Sequence, residues 1–169
     1  MKFRTLQTAA VSLIALSMIP GCSAVDSGGQ SQSEALAQVQ AVDGIESAVI
    51  DSGGSYNGFK RESDTLVSVR LSPGFKIART SDLAEFLVRV AWSVNTEEPN
   101  TDLAFRLKGS PDSDFEAAFR DAGWDFPSHP GGTYVYIPPE VVRAKLGRWP
   151  GPVPKLPEGM IVAETDAGA

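Results

Sequence analysis

The feature that most constrains the fold is a helical pattern over residues 81–95, which lies between two segments that alternate like strands. Apolar residues recur at positions 83, 86, 87, 90, 91 and 94, the spacing of one face of a helix. Over residues 64–72 and 102–108, apolar and polar side chains alternate with a period of two, as in half-buried strands. This succession favours a helix that packs on one face of a sheet.

Further elements are predicted on both sides of this unit. A helix over 33–42 begins with capping-box spacing between Ser31 and Glu34, and a strand over 46–51 follows it. The strands at 46–51 and 64–72 are interpreted as a hairpin, and the polar, glycine-rich stretch 52–63 as its long, mobile connection. A helix from about 115 to 122, a strand over 133–137 and a helix over 138–146 complete the order α-β-β-α-β-α-β-α.

This order predicts an α+β fold, a small two-layer sandwich with helices on one face of a mostly antiparallel or mixed sheet of about four strands. The sandwich is expected to be ferredoxin-like or a permutation of that fold. The units at 64–108 and 102–137 are expected to cross over right-handed. Segment 39–50 (VQAVDGIESAVI) resembles the helix-to-strand passage of heavy-metal-associated domains, which share the ferredoxin-like fold. The Cys-x-x-Cys of that family is absent, so its metal binding is not carried over.

The chain of 169 residues has room for one ordinary domain. We predict a signal peptide over 1–21, a lipidated cysteine and flexible linker over 22–32, a single α+β domain over 33–147, and a Pro/Gly-rich tail over 148–169. The tail is expected to be extended or disordered. The alternative is that Met160, Ile161 and Val162 dock as an edge strand.

The first 21 residues have the layout of a secretory signal peptide. Lys2 and Arg4 give a positive start, and an apolar run over 8–19 follows. That run is about a dozen residues long, whereas a helix that spans a bilayer needs about 20. A permanent transmembrane helix is therefore the weaker interpretation.

Ile19-Pro20-Gly21-Cys22 resembles the lipobox of bacterial lipoproteins, with an aliphatic residue three positions before the cysteine and a small one directly before it. The resemblance implies cleavage between Gly21 and Cys22 and lipid on the Cys22 thiol. It also implies a membrane-anchored protein on the extracytoplasmic face of the cell membrane. Two or three acyl chains hold a protein stably on a bilayer, whereas one chain holds it only marginally.

The charge of the mature chain excludes one class of partner. Loss of Lys2 and Arg4 with the first 21 residues, which hold no acid, changes the formal net charge from −6 to −8. Nucleic acid and anionic lipid headgroups would repel such a domain. We therefore predict no nucleic-acid partner.

Residues suited to catalysis or metal binding are few. Cys22 is the only cysteine, and lipid on its sulfur excludes thiol chemistry. His129 is the only histidine, and no Gly-x-Ser-x-Gly elbow accompanies it, so a surface-loop role is favoured over catalysis. One histidine falls short of a zinc site, and Asp112 and Asp114 lack the calcium-loop pattern. We predict no cofactor, no metal and no enzymatic activity.

One possible binding face remains. If the strands at 64–72 and 102–108 are neighbours, Arg70, Arg106 and Lys108 project from the same open face and could receive an anionic ligand or an acidic partner, together with the His129 loop. The alternative is a solvated strand face without a function. Four aromatic residues near His129 are interpreted either as core or as an aromatic surface: Trp124, Phe126, Tyr134 and Tyr136.

Three functional hypotheses follow from the sequence. The leading one is a non-enzymatic, lipid-anchored binding module of the cell envelope with a protein partner. The second is a lipoprotein that binds a small molecule or ion. The third and weakest is an envelope hydrolase that uses His129.

The first prediction concerns Cys22. A Cys22→Ser substitution removes the thiol that accepts lipid, so the precursor is expected to stay unprocessed and to take up no labelled fatty acid. Metabolic labelling and the mass of the membrane-bound form measure both effects. Normal maturation of the variant would contradict the lipobox interpretation.

Overall fold

The computed structural model describes residues 28–109, 115–127 and 133–164. Within these residues the chain forms four helices and six strands. In chain order they are α1 (Gln32–Gln40), β1 (Ile45–Asn57), β2 (Lys60–Leu71), β3 (Phe75–Ile77), α2 (Thr80–Ser93), β4 (Leu103–Lys108), α3 (Phe115–Asp121), β5 (Val135–Ile137), α4 (Pro139–Leu146) and β6 (Ile161–Ala163).

The main sheet has the strand order β1-β2-β4-β5, and β3 pairs with β6 in a separate two-stranded sheet. β1 and β2 are antiparallel, β2 and β4 are parallel, and β4 and β5 are antiparallel. Helix α1 packs on β1, α2 packs on β2, and α3 packs against α2. The predicted α+β arrangement, with helices against a mixed sheet of four strands, is confirmed.

The predicted crossover over 64–108 corresponds to β2, α2 and the parallel strand β4. The second predicted crossover, over 102–137, is wrong because β5 runs antiparallel to β4. Val135, the first residue of β5, pairs with Phe105, and Ile137, its last residue, pairs with Leu103. The chain therefore re-enters the sheet partway along β4 and runs back toward the start of that strand, a connection that needs no crossover.

The predicted apolar face of α2 lies in the core. All six residues of its stripe are buried: Leu83, Phe86, Leu87, Val90, Ala91 and Val94. From the sheet, Val67, Val69 and Phe105 are buried at alternate positions, as the period of two predicts. Phe119 of α3 completes this layer, with its ring centroid 5.0 Å from that of Phe105.

Helix α1 begins with the predicted capping box. The backbone N–H of Glu34 donates to Ser31 Oγ at 3.3 Å, and the Ser31 N–H donates to the Glu34 carboxylate at 2.8 Å. The pKa of the Glu34 carboxyl is lowered, chiefly by its hydrogen bond with the side chain of Ser31. The folded part starts earlier than the predicted residue 33, because Gln30 is buried and its N–H donates to the carbonyl of Ser93 at 2.7 Å.

The predicted hairpin is confirmed by the antiparallel pairing of β1 with β2, whereas the predicted mobile connection over 52–63 is wrong. β1 and β2 pair without interruption from Ile50 and Val67 to Asn57 and Lys60, where a two-residue turn closes the hairpin. Gly58 has a φ of 63°, the backbone that a type II′ turn requires at its first central position. Polar and glycine residues form these strands because this part of the hairpin is mostly exposed and needs no apolar face.

Two amide side chains cover backbone groups at the open edges of the hairpin. On the β1 side, Gln32 Nε2 donates to the carbonyl of Ile50 at 2.9 Å, and Gln32 Oε1 accepts from the N–H of Ser52 at 3.2 Å. On the β2 side, Asn100 Nδ2 donates to the carbonyl of Arg61 at 3.1 Å, and Asn100 Oδ1 accepts from the N–H of Ser63 at 2.9 Å. Each amide takes the place of a further strand.

The domain continues beyond the predicted boundary at 147. The N–H of Gly151 donates to the carbonyl of Trp92 at 3.0 Å, and Met160 and Ile161 are buried. β6 pairs with β3, so the alternative prediction of a docked strand near residues 160–162 is confirmed. Between α4 and β6 the tail forms no helix or strand and is mostly exposed, but it is buried at Gly151 and again at Met160 and Ile161.

Burial predicts the cost of truncating Phe119. The Phe119→Ala variant is expected to lose about 3–5 kcal/mol of unfolding free energy, because a fully buried ring leaves a cavity. Urea denaturation measures this loss. The same substitution at Phe59, which is 108% exposed, is the matched control and is expected to change stability by less than about 0.5 kcal/mol. Equal losses in the two variants would contradict the assigned core.

Candidate functional site

The structure brings three of the predicted site residues onto one face of the sheet. β2 and β4 are neighbours in a register that places Ser68 beside Arg106 and Arg70 beside Lys108. Their alternate neighbours, such as Val69 and Phe105, are buried on the helix side. Arg70, Arg106 and Lys108 therefore project from the opposite face.

Two aromatic residues of the β5 segment extend this face. Arg106 Nη1 donates to the hydroxyl of Tyr134 at 3.2 Å, and its guanidinium carbon lies 5.2 Å from the centroid of the Tyr134 ring. Tyr136 pairs with Ala104 of β4, and its ring centroid lies 6.0 Å from that of Tyr134. We call Arg70, Arg106, Lys108, Tyr134 and Tyr136 the basic–aromatic face.

The other predicted aromatic and catalytic residues lie elsewhere. Trp124 and Phe126 are buried, so they belong to the core and not to an aromatic surface. His129 lies outside the described residues, as do Cys22 and the pair Asp112 and Asp114. Their predicted roles stay predictions.

The charges of the basic–aromatic face are only partly neutralised. Arg70 Nε lies 3.8 Å from a carboxylate oxygen of Glu46, and about half of each side chain is exposed, so this pair contributes little to stability. Arg106 Nε is buried and has no hydrogen-bond partner among the described residues. Toward the hairpin, Asp51 and Asp64 alternate onto the same side of the sheet. The face is thus basic near the ends of β2 and β4 and acidic near the hairpin.

This arrangement is suited to binding anions. Guanidinium and ammonium groups donate hydrogen bonds and accept none, and they match carboxylate or phosphate oxygens. Tyrosine adds apolar contact area and a hydroxyl, a combination common at interfaces. Among the residues that the structure describes, no group of three or more His, Cys, Asp and Glu could hold a metal ion. No helix in the described part of the chain is long and apolar enough to cross a bilayer.

A groove between α2 and the segment 152–157 is the other concave surface of note, with a volume of about 410 Å³. Its charged groups are largely paired with one another. The carboxylate of Glu85 lies 2.8 Å from Arg89 and 3.2 Å from Lys145, and Asp82 lies 3.1 Å from Arg79. Among the described residues that line it, Lys155 is the charged side chain for which no ion pair is seen, and a single exposed ammonium group does not make a converging set of polar groups.

No known protein family, curated protein or solved structure matches the chain.

Several long-range charged pairs escaped prediction, and the one with two hydrogen bonds joins residues that are 36 positions apart. Arg61 of the hairpin donates to Glu97 through Nε at 2.7 Å and through Nη2 at 2.5 Å, and its guanidinium carbon lies 5.4 Å from the Tyr56 ring centroid. The hydrogen bonds from Arg61 hold the pKa of the Glu97 carboxyl below its ordinary value. They also raise the pKa of Arg61, which keeps its charge at every pH of interest.

This pair predicts a pH effect with a definite sign. Because the folded-state pKa of Glu97 is lowered, its contribution to hairpin stability is present above about pH 4.3, the ordinary glutamate pKa, and is lost as the pH falls through the lowered value. The carbon-13 chemical shift of the Glu97 carboxyl measures this titration. In an Arg61→Gln variant the midpoint is expected to rise toward 4.3. An unchanged midpoint would show that Arg61 does not cause the shift.

Proposed function

We propose that the chain is a lipid-anchored protein of the extracytoplasmic face of the cell membrane. We further propose that it binds an acidic envelope protein through the basic–aromatic face and catalyses no reaction. The observation that carries this proposal is the parallel register of β2 and β4, which collects Arg70, Arg106 and Lys108 beside Tyr134 on one side of the sheet.

Electrostatics supports a partner rather than a bare solvated face. The mature chain is strongly acidic overall, so a local group of cations stands out in the field that an approaching protein meets. Such a patch increases the association rate of an acidic partner and orients it. Arginine and tyrosine are also the residues on which interfaces most often depend for affinity.

The proposed anchor makes a modest affinity sufficient. Cys22 lies eight residues before Gln30, where the folded part begins, and eight residues of extended chain span at most about 29 Å. A domain held this close to a membrane meets other envelope proteins at a raised effective concentration. A weak, mostly polar face can then maintain a complex.

A small anionic ligand on the same face is the second candidate. The buried Arg106 Nε favours it, because a buried donor without a partner gains from an acceptor that reaches it. Ligand-dependent stabilisation in a thermal-shift screen, lost in Arg106→Ala, would favour this candidate over the protein partner. The hydrolase hypothesis depends on His129, and unchanged activity in His129→Ala would end it.

Charge reversal tests the proposed face. Arg106→Glu with Lys108→Glu changes the formal charge by −4, and crosslinked pull-downs from membranes are expected to recover about tenfold less of the partner. The double variant Lys76→Glu and Lys155→Glu is the control, since it makes the same change of charge at two exposed positions away from the face. Equal recovery with both variants, or repeated recovery of nothing by the unaltered protein, would contradict the proposal.

A further inference from the structure

The β1–β2 hairpin extends beyond the rest of the main sheet. β4 pairs with β2 from Thr65 to Arg70, so within the described part of the chain the segment of β2 before Thr65 has β1 as its only strand neighbour. We call residues 56–60, at the end of this extension, the ribbon tip. Phe59 is 108% exposed there and Tyr56 is 71% exposed.

The base of the extension is fixed by several contacts, although two-stranded ribbons alone are only marginally stable in water. Glu97 binds Arg61 through two hydrogen bonds, and Asn100 binds backbone groups of Arg61 and Ser63. Ser63 Oγ donates to the carbonyl of Glu98 at 2.6 Å. The loop after α2 thus holds the ribbon in place, and a phenylalanine is presented to the surroundings at its outer end.

The chain enters the domain at the same end as the ribbon. Gln30 exchanges backbone hydrogen bonds with Ser93 and Asn95, two residues before Glu97. The side chain of Gln32 binds Ile50 and Ser52, where the extension leaves the sheet. From Ser52 to Asn57 the ribbon spans about 17 Å, which is less than the reach of about 29 Å between Cys22 and Gln30.

The local charge also differs from that of the domain. Residues 55–61 (SYNGFKR) contain Lys60 and Arg61 and no acid, in a chain with an excess of acids. Lys60 Nζ lies 3.3 Å from Glu62 and Arg61 binds Glu97, so these two cations are balanced by two carboxylates and the region has no excess of negative charge. Aromatic rings favour the boundary between headgroups and acyl chains, and lysine can extend its ammonium group to the headgroups. The acidity of the remaining domain disfavours anionic membranes, so this chemistry fits a zwitterionic lipid surface.

We propose that the ribbon tip is a second membrane contact, in which Phe59 enters the boundary between headgroups and acyl chains and Tyr56 and Lys60 lie among the headgroups. This inference rests on the proposed anchoring through Cys22. A single inserted aromatic residue is too weak to recruit a free domain, but a short tether gives the tip an effective concentration on the order of millimolar at the surface. The contact therefore requires the tether.

Quenching of tryptophan fluorescence by brominated lipid tests this contact. The chain from residue 22 to 169, which contains every described element, is coupled through Cys22, its only cysteine, to a maleimide lipid in phosphatidylcholine vesicles. A Phe59→Trp variant reports on the tip. Leu156→Trp is the matched control, because Leu156 is 44% exposed and lies beside Asp43, at the other end of β1 and about 40 Å of strand away.

The chain has three tryptophans of its own, so the coupled, unaltered chain gives the background emission that is subtracted. After this subtraction, the tryptophan at position 59 is expected to emit at shorter wavelength and to lose about half of its emission with brominated lipid. The control at 156 is expected to lose none, and the same Phe59→Trp chain with a blocked, uncoupled Cys22 is also expected to lose none. No quenching at 59, or equal quenching at 59 and 156, would overturn the proposal. Equal melting temperatures for the unaltered and variant chains confirm that both variants fold.

The design separates this inference from the proposed anchoring. The maleimide imposes a tether whatever the cell does to Cys22, so a negative result at 59 counts against the ribbon tip alone. Native lipidation is judged separately by fatty-acid labelling of the Cys22→Ser variant. A tip that binds a protein rather than a membrane would leave position 59 unquenched in these vesicles.

Discussion

The parallel pairing of β2 with β4 is the contact on which the rest of the arrangement depends. A parallel pair of strands needs a crossover connection, and α2 forms this connection between β2 and β4. The apolar face of α2 is buried in the core. Val67, Val69 and Phe105 face α2, and successive strand residues point to opposite faces of the sheet. Arg70, Arg106 and Lys108 must therefore lie on the face away from α2. The burial that stabilises the core therefore also places the three cations on one face. A shift of one residue in either strand would turn the cations of that strand toward the helices.

The sequence predicted the elements that carry a clear period and missed those that do not. Helix α2, β4 and the capping box at Ser31 follow from local patterns. The extended hairpin was missed because glycine and polar residues 52–63 lack an apolar alternation, although Asn57-Gly58 is a strong turn signal. The contact of Arg106 with Tyr134 and that of Arg61 with Glu97 join residues far apart in the chain. No local pattern encodes such contacts. The three cations of the face were therefore predictable, whereas Tyr134 and Tyr136 could be interpreted only as either core or surface.

The ribbon tip and the basic–aromatic face lie toward opposite ends of β2, and the proposed lipid anchor lies on the side of the ribbon tip. The strand runs from Lys60 at the ribbon tip to Arg70 on the basic–aromatic face, ten residues or about 33 Å away. With the tip and the lipid at the membrane, β2 extends outward and holds Arg70 and Arg106 well above the headgroups. The acidic residues Asp51 and Asp64 then lie between the bilayer and the basic end, on the same side of the sheet. A partner would meet the cations first.

If the protein is anchored as proposed, the amides of Gln32 and Asn100 acquire a further role. Anchored copies would be crowded and aligned in two dimensions, and exposed strand edges can then pair with one another. Gln32 covers backbone groups of Ile50 and Ser52, and Asn100 covers those of Arg61 and Ser63, so neither edge offers these groups to a neighbouring copy. Two neutral side chains would thus oppose edge pairing at these positions, without adding charge beside the lipid.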